Sequence, residues 1–401
     1  MAPDRRPMIF NSWDYYLLFL IPSAILCRVA TPARRPWVIF LSGGLFFVYF
    51  SYTQFGGVAG AACLAIFLWE SFVSRFYRPL SWICWLGVTQ TVLFLVLFKY
   101  RNFLTGLVWH DAAQNPLYWR NAFLPLGISF FTFEFVHYAV DRYKGRTEEG
   151  SLGEYLAFIL FFPTMVAGPI KRYQDFLPKL RAISREWVID WQRGVTRILA
   201  GLVKKFAVAD VLTAYTNHLN ATDIGRAWRP MLLVWLIAYG LKIYADFSAY
   251  SDIAIGSARL FGIRVPENFD WPYLRTNITE FWRHWHMSLT SWLIDYIYIP
   301  LGGSRRAAGQ VYANILVTML VSGIWHGAGV NFIVWGLLHG VMLVIRRIWR
   351  QIRPLQPGAP LPAWSQFGSW MLTFAAVNFA WAFFCMDVHT AVYFFRRLLI
   401  G

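Results

Sequence analysis

Two short stretches hold the residues that can do chemistry. Glu280 to Leu289, EFWRHWHMSL, sets Glu280, Arg283, His284 and His286 among Phe281, Trp282 and Trp285. Ser322 to Gly340, SGIWHGAGVNFIVWGLLHG, places His326 between Trp325 and Gly327, with His339 thirteen residues further on. Both lie beside or within strongly apolar sequence, where ionisable side chains are expensive and face a partner or a polar cavity. An imidazole titrates near neutrality and can take the proton of a hydroxyl within hydrogen-bond reach. Two separated histidines therefore suit acyl transfer from a thioester to an alcohol. One removes the hydroxyl proton; the other positions the donor or stabilises the developing oxyanion. Thirteen residues make about 3.6 helical turns, so spacing does not pair His326 with His339 on one face. Gly327 and Gly329 are expected to interrupt the helix in any case.

Plainer readings apply to most neighbours. His110, His137, His218 and His389 are read as helix-packing or exposed residues. Arg283 and Glu280 stand three apart and can pair as helix neighbours. His284 and His286 are two apart and point to different sides of a helix, with no carboxylate at HExxH spacing, so no metal site is expected. Cys27, Cys63, Cys84 and Cys385 lack metal-ligand spacing and read as small hydrophobes. Glu267 and Asn268 in VPENF read as loop anchors or caps. Ser248, Ser288 and Ser322 read as polar helix packing.

The elements that carry these residues belong in a bilayer. The chain of 401 residues is 57% hydrophobic, 19% aromatic and 14% charged, against about 25% charged for an ordinary soluble domain. Apolar stretches long enough to cross as helices recur along it, near 15–31, 37–53, 55–72, 81–98, 121–140, 153–169, 195–212, 230–261, 311–329, 331–346 and 366–385. The first reads as a retained helix rather than a signal peptide, because it lacks a small-residue cleavage site. The 230–261 stretch is long enough for two segments or one tilted helix. Residues 273–303, ending in YIPLGG, read as an interfacial or re-entrant element. FFPTMVAGPI (161–170) is broken by proline and glycine and followed by a basic run, Lys171, Arg172, Lys179 and Arg181, which strict alternation from cytoplasmic loops after 31, 72 and 140 would put outside; 153–169 is therefore not expected to cross fully. The net charge of +16 sits in short loops, as at Arg75 and Arg78 or Arg305 and Arg306. That pattern fits the positive-inside rule and contact with membrane lipid, and excludes nucleic acid as partner.

At these motifs the chain resembles the membrane-bound O-acyltransferase (MBOAT) superfamily, in the branch of the alginate O-acetylation protein and the D-alanyl transfer protein. The resemblance runs from about residue 95 to 400 through FKYRNF, LPLGISFFTFEFVHYAVDRYKG, FFPTMVAGPIKRY, GLVKKFAVAD, YADFSAYSDIAIGSARLFGIRVPENFDWPY and the two histidine stretches. It implies an all-α polytopic membrane protein, an MBOAT-like ring of about 11 transmembrane helices with re-entrant elements around a central tunnel. It implies one acyltransferase domain over 1–401, with N-terminal helices (1–95), the core (96–350) and C-terminal helices (351–401). His326 matches the family's WHG histidine and His286 its second polar partner. Arg283, Asp295, Asn331, Trp325 and Trp285 follow as supporting or donor-binding residues, with no bound cofactor.

The implied activity is transfer of an acyl group, acetyl above all, from acetyl-CoA or an acyl-carrier thioester across a bacterial inner membrane. The acceptor is a cell-envelope or secreted polysaccharide, reached through an SGNH-type acyltransferase partner. D-alanyl transfer from a carrier protein is the alternative within the family, and transport without covalent chemistry the alternative outside it. The chain departs from the pattern at His284 and Ile294, where the family often has arginine. Lys204, Lys205, Arg305 and Arg306 could replace those charges. It also ends soon after Phe379–Gly401, where alginate-type members continue, so its acceptor side is expected to differ.

Overall fold

The computed structural model describes residues 9–73, 81–109, 115–119, 124–183, 187–353 and 362–400. Arg75, Arg78 and His110 lie outside them. The described chain is helical, and its single β pairing is an isolated bridge between Phe269 and Trp285. Among the described residues six helices are long and apolar enough to cross a bilayer: Arg35–Thr53, Trp82–Gly106, Arg229–Leu260, Ala308–His326, Val330–Ile352 and Ala363–Cys385. This is a multi-pass membrane protein. The 230–261 stretch is one helix of 32 residues. At 1.5 Å per residue it is longer than a hydrocarbon core of about 30 Å.

The chain divides into two compact units. The first comprises Met1–Leu202 and Ala249–Pro266. Its core is aromatic: Phe46 stacks on Phe162 with centroids 5.0 Å apart, and Tyr15 meets Phe10 edge-on at 4.9 Å. The helix Arg35–Val73 breaks at Gly56, whose φ of 76° is positive, just inside the start of the expected span 55–72. The 153–169 stretch is two short helices, Leu152–Ile159 and Phe162–Met165, the first closed by a Ser151/Glu154 capping box. Two of the basic residues after it, Lys171 and Arg181, are engaged. Lys171 is buried against Glu134, and Arg181 reaches Glu148 at 3.0 Å and Glu154 at 2.6 Å. A buried, paired lysine is not a loop charge, so it carries no orientation signal.

The second unit comprises Val203–Ser248 and Glu267–Gly401 and holds both histidine stretches. Residues 272–298 form four short turns and helices, Pro272–Leu274, Ile278–His284, Met287–Leu293 and Ile294–Tyr298, none long enough to span. The helices Ala308–His326 and Val330–Ile352 pack closely on each other. They cross where Gly323 meets Gly336. A Cβ on Gly323 would stand 2.3 Å from the Phe332 carbonyl oxygen, and one on Gly336 would stand 2.5 Å from that of Met319. Only glycine lets the backbones approach this far. Gly336→Val should therefore destabilise the protein by about 1–3 kcal/mol, whereas Gly368→Ala, with nothing within 4 Å of its Cβ, should not. Thermal unfolding of both variants in detergent tests this, and equal melting temperatures would refute the close packing.

Candidate active site

The site begins at a backbone clip. Asn277 caps the helix Ile278–His284 by accepting the Glu280 N–H at 3.0 Å. The helix ends at Trp285, which turns extended and bridges to Phe269. The Asp270 N–H donates to the His284 carbonyl at 3.1 Å, and the Met287 N–H donates to the Asn268 carbonyl at 2.9 Å. Between these bonds His286 adopts φ 43° and ψ 54°, a left-handed conformation uncommon outside glycine, before the helix Met287–Leu293 starts. Such a kink costs about 1–3 kcal/mol and persists only where its surroundings hold it.

Asn268 does the holding. Its Oδ1 accepts the Ser288 hydroxyl at 2.7 Å and the Ser288 backbone N–H at 3.3 Å, and stands 3.3 Å from His286 Nδ1. A backbone N–H can only donate, so the atom facing Ser288 and His286 is the amide oxygen. His286 Nδ1 therefore carries the ring proton, and Nε2 presents its lone pair. His286 is fully buried, and its Nε2 has no hydrogen-bond partner among the described residues. Burial pushes its pKa down to about 3, so the ring is neutral at ordinary pH.

His326 is the last residue of the helix Ala308–His326, before the 327–329 break, and is half-buried. Its ring is edge-on to Trp325 at 4.8 Å, to Trp335 at 5.1 Å and to Phe384 at 5.1 Å. Trp325 also meets His286, at 6.3 Å. Trp335 also meets His339, at 4.9 Å. Five rings thus run from His286 through Trp325, His326 and Trp335 to His339. His339 is fully buried, parallel to Phe281 at 6.3 Å, and accepts the Trp282 indole N–H at Nδ1, at 3.3 Å.

The other expected residues fall in different places. Trp325 lies between the two named histidines. Trp285 packs in the aromatic core, stacked on Phe281 at 5.5 Å and against Trp381 at 5.1 Å. Arg283 is exposed and pairs with Glu280 at 2.7 Å. It also lines a cavity of about 310 Å³, with Trp282, Thr290, Tyr298, Ser304 and Thr318 among its walls. Asp295 is half-buried in the turn Ile294–Tyr298, and the Asn331 amide lies over Gly329. His284 stands 3.5 Å from Asp270 and 3.9 Å from Glu280. Lys205 is taken up by Asp210 at 2.7 Å and Asp246 at 2.9 Å. In the first unit His137 has both nitrogens engaged, by the Phe133 carbonyl and the Tyr173 N–H, each at 3.1 Å. Among the described residues no three metal-binding side chains gather. Asn268, read as a loop anchor, anchors His286. Trp282, Trp335, Phe384 and His339 join the site although spacing did not assemble them; the one signal was Trp335 and His339, four apart on a single helix.

Comparison with known proteins supplies the family. The model of the membrane-bound O-acyltransferase family matches residues 66–388. The probable alginate O-acetylase AlgI of Pseudomonas aeruginosa is 39% identical over 314 residues, covering 75% of this chain and 56% of that protein. AlgI of Azotobacter vinelandii is 35% identical over 395 residues, covering 94% of this chain and 75% of the relative. The peptidoglycan O-acetyltransferase of Helicobacter pylori is 33% identical over 335 residues, covering 75% of this chain and 61% of its own length. The match thus spans little more than half of the P. aeruginosa protein. The chain that builds this line of rings around its WHG histidine belongs to the membrane-bound O-acyltransferase family.

Proposed function

We propose that the protein is an O-acetyltransferase of the bacterial inner membrane. It takes acetyl from acetyl-CoA on the cytoplasmic side and moves it towards an envelope or secreted polysaccharide, handing it to an extracytoplasmic SGNH-type partner. The whole chain works as one acyltransferase, a ring of helices and re-entrant elements around a tunnel. The observation that carries this reading is the placement of His326 at a helix end, walled by aromatic rings, with the lone pair of His286 held one ring away. The names of the relatives support acetyl as the group and polysaccharide as the acceptor class.

In the proposed step His326 takes the proton of the attacking hydroxyl. The oxygen adds to the thioester carbonyl carbon, a C–O bond forms and the C–S bond breaks. The departing thiolate recovers the proton from the imidazolium, so the products are an acetyl ester and free CoA thiol. His286, neutral and with Nε2 as acceptor, orients the hydroxyl or shares its proton. Trp325 sets the spacing between them. Arg283, beside the cavity, meets donor phosphate; Asp295 and Asn331 support the adjoining turns, and Trp285 braces the clip from behind.

Radiolabelled acetyl-CoA, offered to membranes holding wild type or His326→Ala, tests the proposal. Thioester loss and labelled glycan or partner protein should appear with wild type and fall by at least ~10³-fold in the variant, at unchanged protein level. Full turnover by His326→Ala would refute the mechanism. Turnover of a D-alanyl carrier thioester with acetyl-CoA inert would refute the donor.

The neutral state of His286 gives a second prediction. Its pKa is lowered from an ordinary 6.5 to about 3 in the folded protein. Below pH 6.5 the unfolded chain therefore binds a proton that the folded chain refuses, and stability falls as pH drops from about 6.5 towards 3. His286→Gln should lose less melting temperature than wild type between pH 7.5 and 5. An equal or greater loss in the variant would show that His286 is not held neutral.

A further inference from the structure

We propose that His339 is a further hydrogen-bond donor of the site, offering its Nε2 proton to the thioester carbonyl oxygen as that oxygen gains negative charge. The inference rests on the reading above of His326 as the base. The Trp282 indole nitrogen has a proton and no acceptor capacity, so its contact with His339 Nδ1 at 3.3 Å leaves Nδ1 unprotonated. A neutral imidazole has one N–H, which must then be on Nε2. That atom is buried and has no acceptor among the described residues.

A buried histidine serving packing alone looks different here. His137 donates from one nitrogen to a carbonyl and accepts a backbone N–H at the other. His339 satisfies only Nδ1. The rings around it are Phe281, Trp282, Trp335 and Trp381, whose side chains hold no oxygen. Two more buried donors share the neighbourhood. Trp335 Nε1, on the ring between His326 and His339, has no acceptor among the described residues. Neither has the hydroxyl of Ser322, adjacent to the Gly323–Gly336 crossing.

Three protons without acceptors among the described residues, all on the helix that ends in His326 or the helix packed on it, suit a group that only accepts. A thioester carbonyl is such a group, and its demand rises as the tetrahedral intermediate forms. His339 breaks no bond and releases no proton; its N–H only leans on the oxygen. It thereby complements His286, whose Asn268 contact leaves Nε2 as acceptor. Two buried imidazoles are fixed in opposite tautomers, one for a hydroxyl proton and one for an oxyanion.

Three substitutions separate this role from packing. His339→Phe keeps the ring and removes the donor. His339→Gln restores an N–H near the Nε2 position, and His339→Asn restores one near Nδ1. With acetyl-CoA, Phe and Asn should lower kcat by about 10²–10³-fold with KM little changed, and Gln should recover at least a tenfold part of the loss. Equal loss in Gln and Phe, or near-normal kcat in Phe, overturns the proposal. If wild type is inactive on acetyl-CoA, or His326→Ala is active, the earlier reading fails instead. The tautomer is measured independently of turnover. Solid-state 15N spectra of histidine-labelled protein, with His339→Phe used to assign the signal, should show a protonated Nε2, and a protonated Nδ1 overturns the inference whatever the kinetics.

Discussion

One amide oxygen, Asn268 Oδ1, is the contact on which the site depends. It gathers the hydroxyl and backbone N–H of Ser288 and faces the Nδ1 proton of His286. Each is a buried donor that would otherwise face apolar surroundings at a cost of about 1–3 kcal/mol. The same oxygen holds the left-handed turn that interrupts the 278–293 helices. Without that turn the chain would continue as one amphiphilic helix, and His284 and His286 would diverge. With it, His284 is left among Asp270 and Glu280 while His286 goes inside.

The aromatic residues perform the complementary task. A charged imidazole is poorly tolerated among Phe247, Trp282, Trp325, Trp335 and Trp381, whereas a neutral one packs as a flat ring with a polar edge. That is how the second unit can bury two histidines completely and still keep a nitrogen of each without a partner among the described residues. In the first unit several charged or ionisable groups meet partners instead. Glu134 meets Lys171, Arg197 meets Asp252 at 2.6 Å, and His137 is satisfied at both nitrogens.

Much of this was legible in the sequence, for identifiable reasons. Apolar length and low charge betray membrane helices without knowledge of packing, and the proline and glycine breaks at 161–170 and 298–303 show where helices stop. Of the eleven expected spans, six meet the length and apolarity of a crossing helix among the described residues. Shorter ones such as Ile128–Tyr143 draw their apolar character from burial within the protein. His326 and His286 stood out as polar residues in apolar company. That Asn268 anchors His286 in particular was not legible, because eighteen residues separate the two and only the clip joins them. Trp282 and His339 are separated by 57. Tautomers depend on such long-range contacts, so no local pattern announces them.

Exposure separates the three imidazoles further. His286 and His339 are sealed, whereas His326 is half-buried at the end of its helix. A base must pick up a proton and give it away in each proposed turnover, which requires a route to a leaving group or to water. A group that orients a hydroxyl or an oxyanion needs the opposite, a fixed proton and a dry wall that strengthens its hydrogen bond. The half-exposed ring is therefore the one suited to carry the proton, and the sealed rings are suited to keep theirs. The glycine crossing at Gly323 and Gly336 keeps the helix ending in His326 close against the helix that carries Trp335 and His339. The same backbone approach that holds the helix pair together thus sets the spacing between the proposed base and the proposed donor.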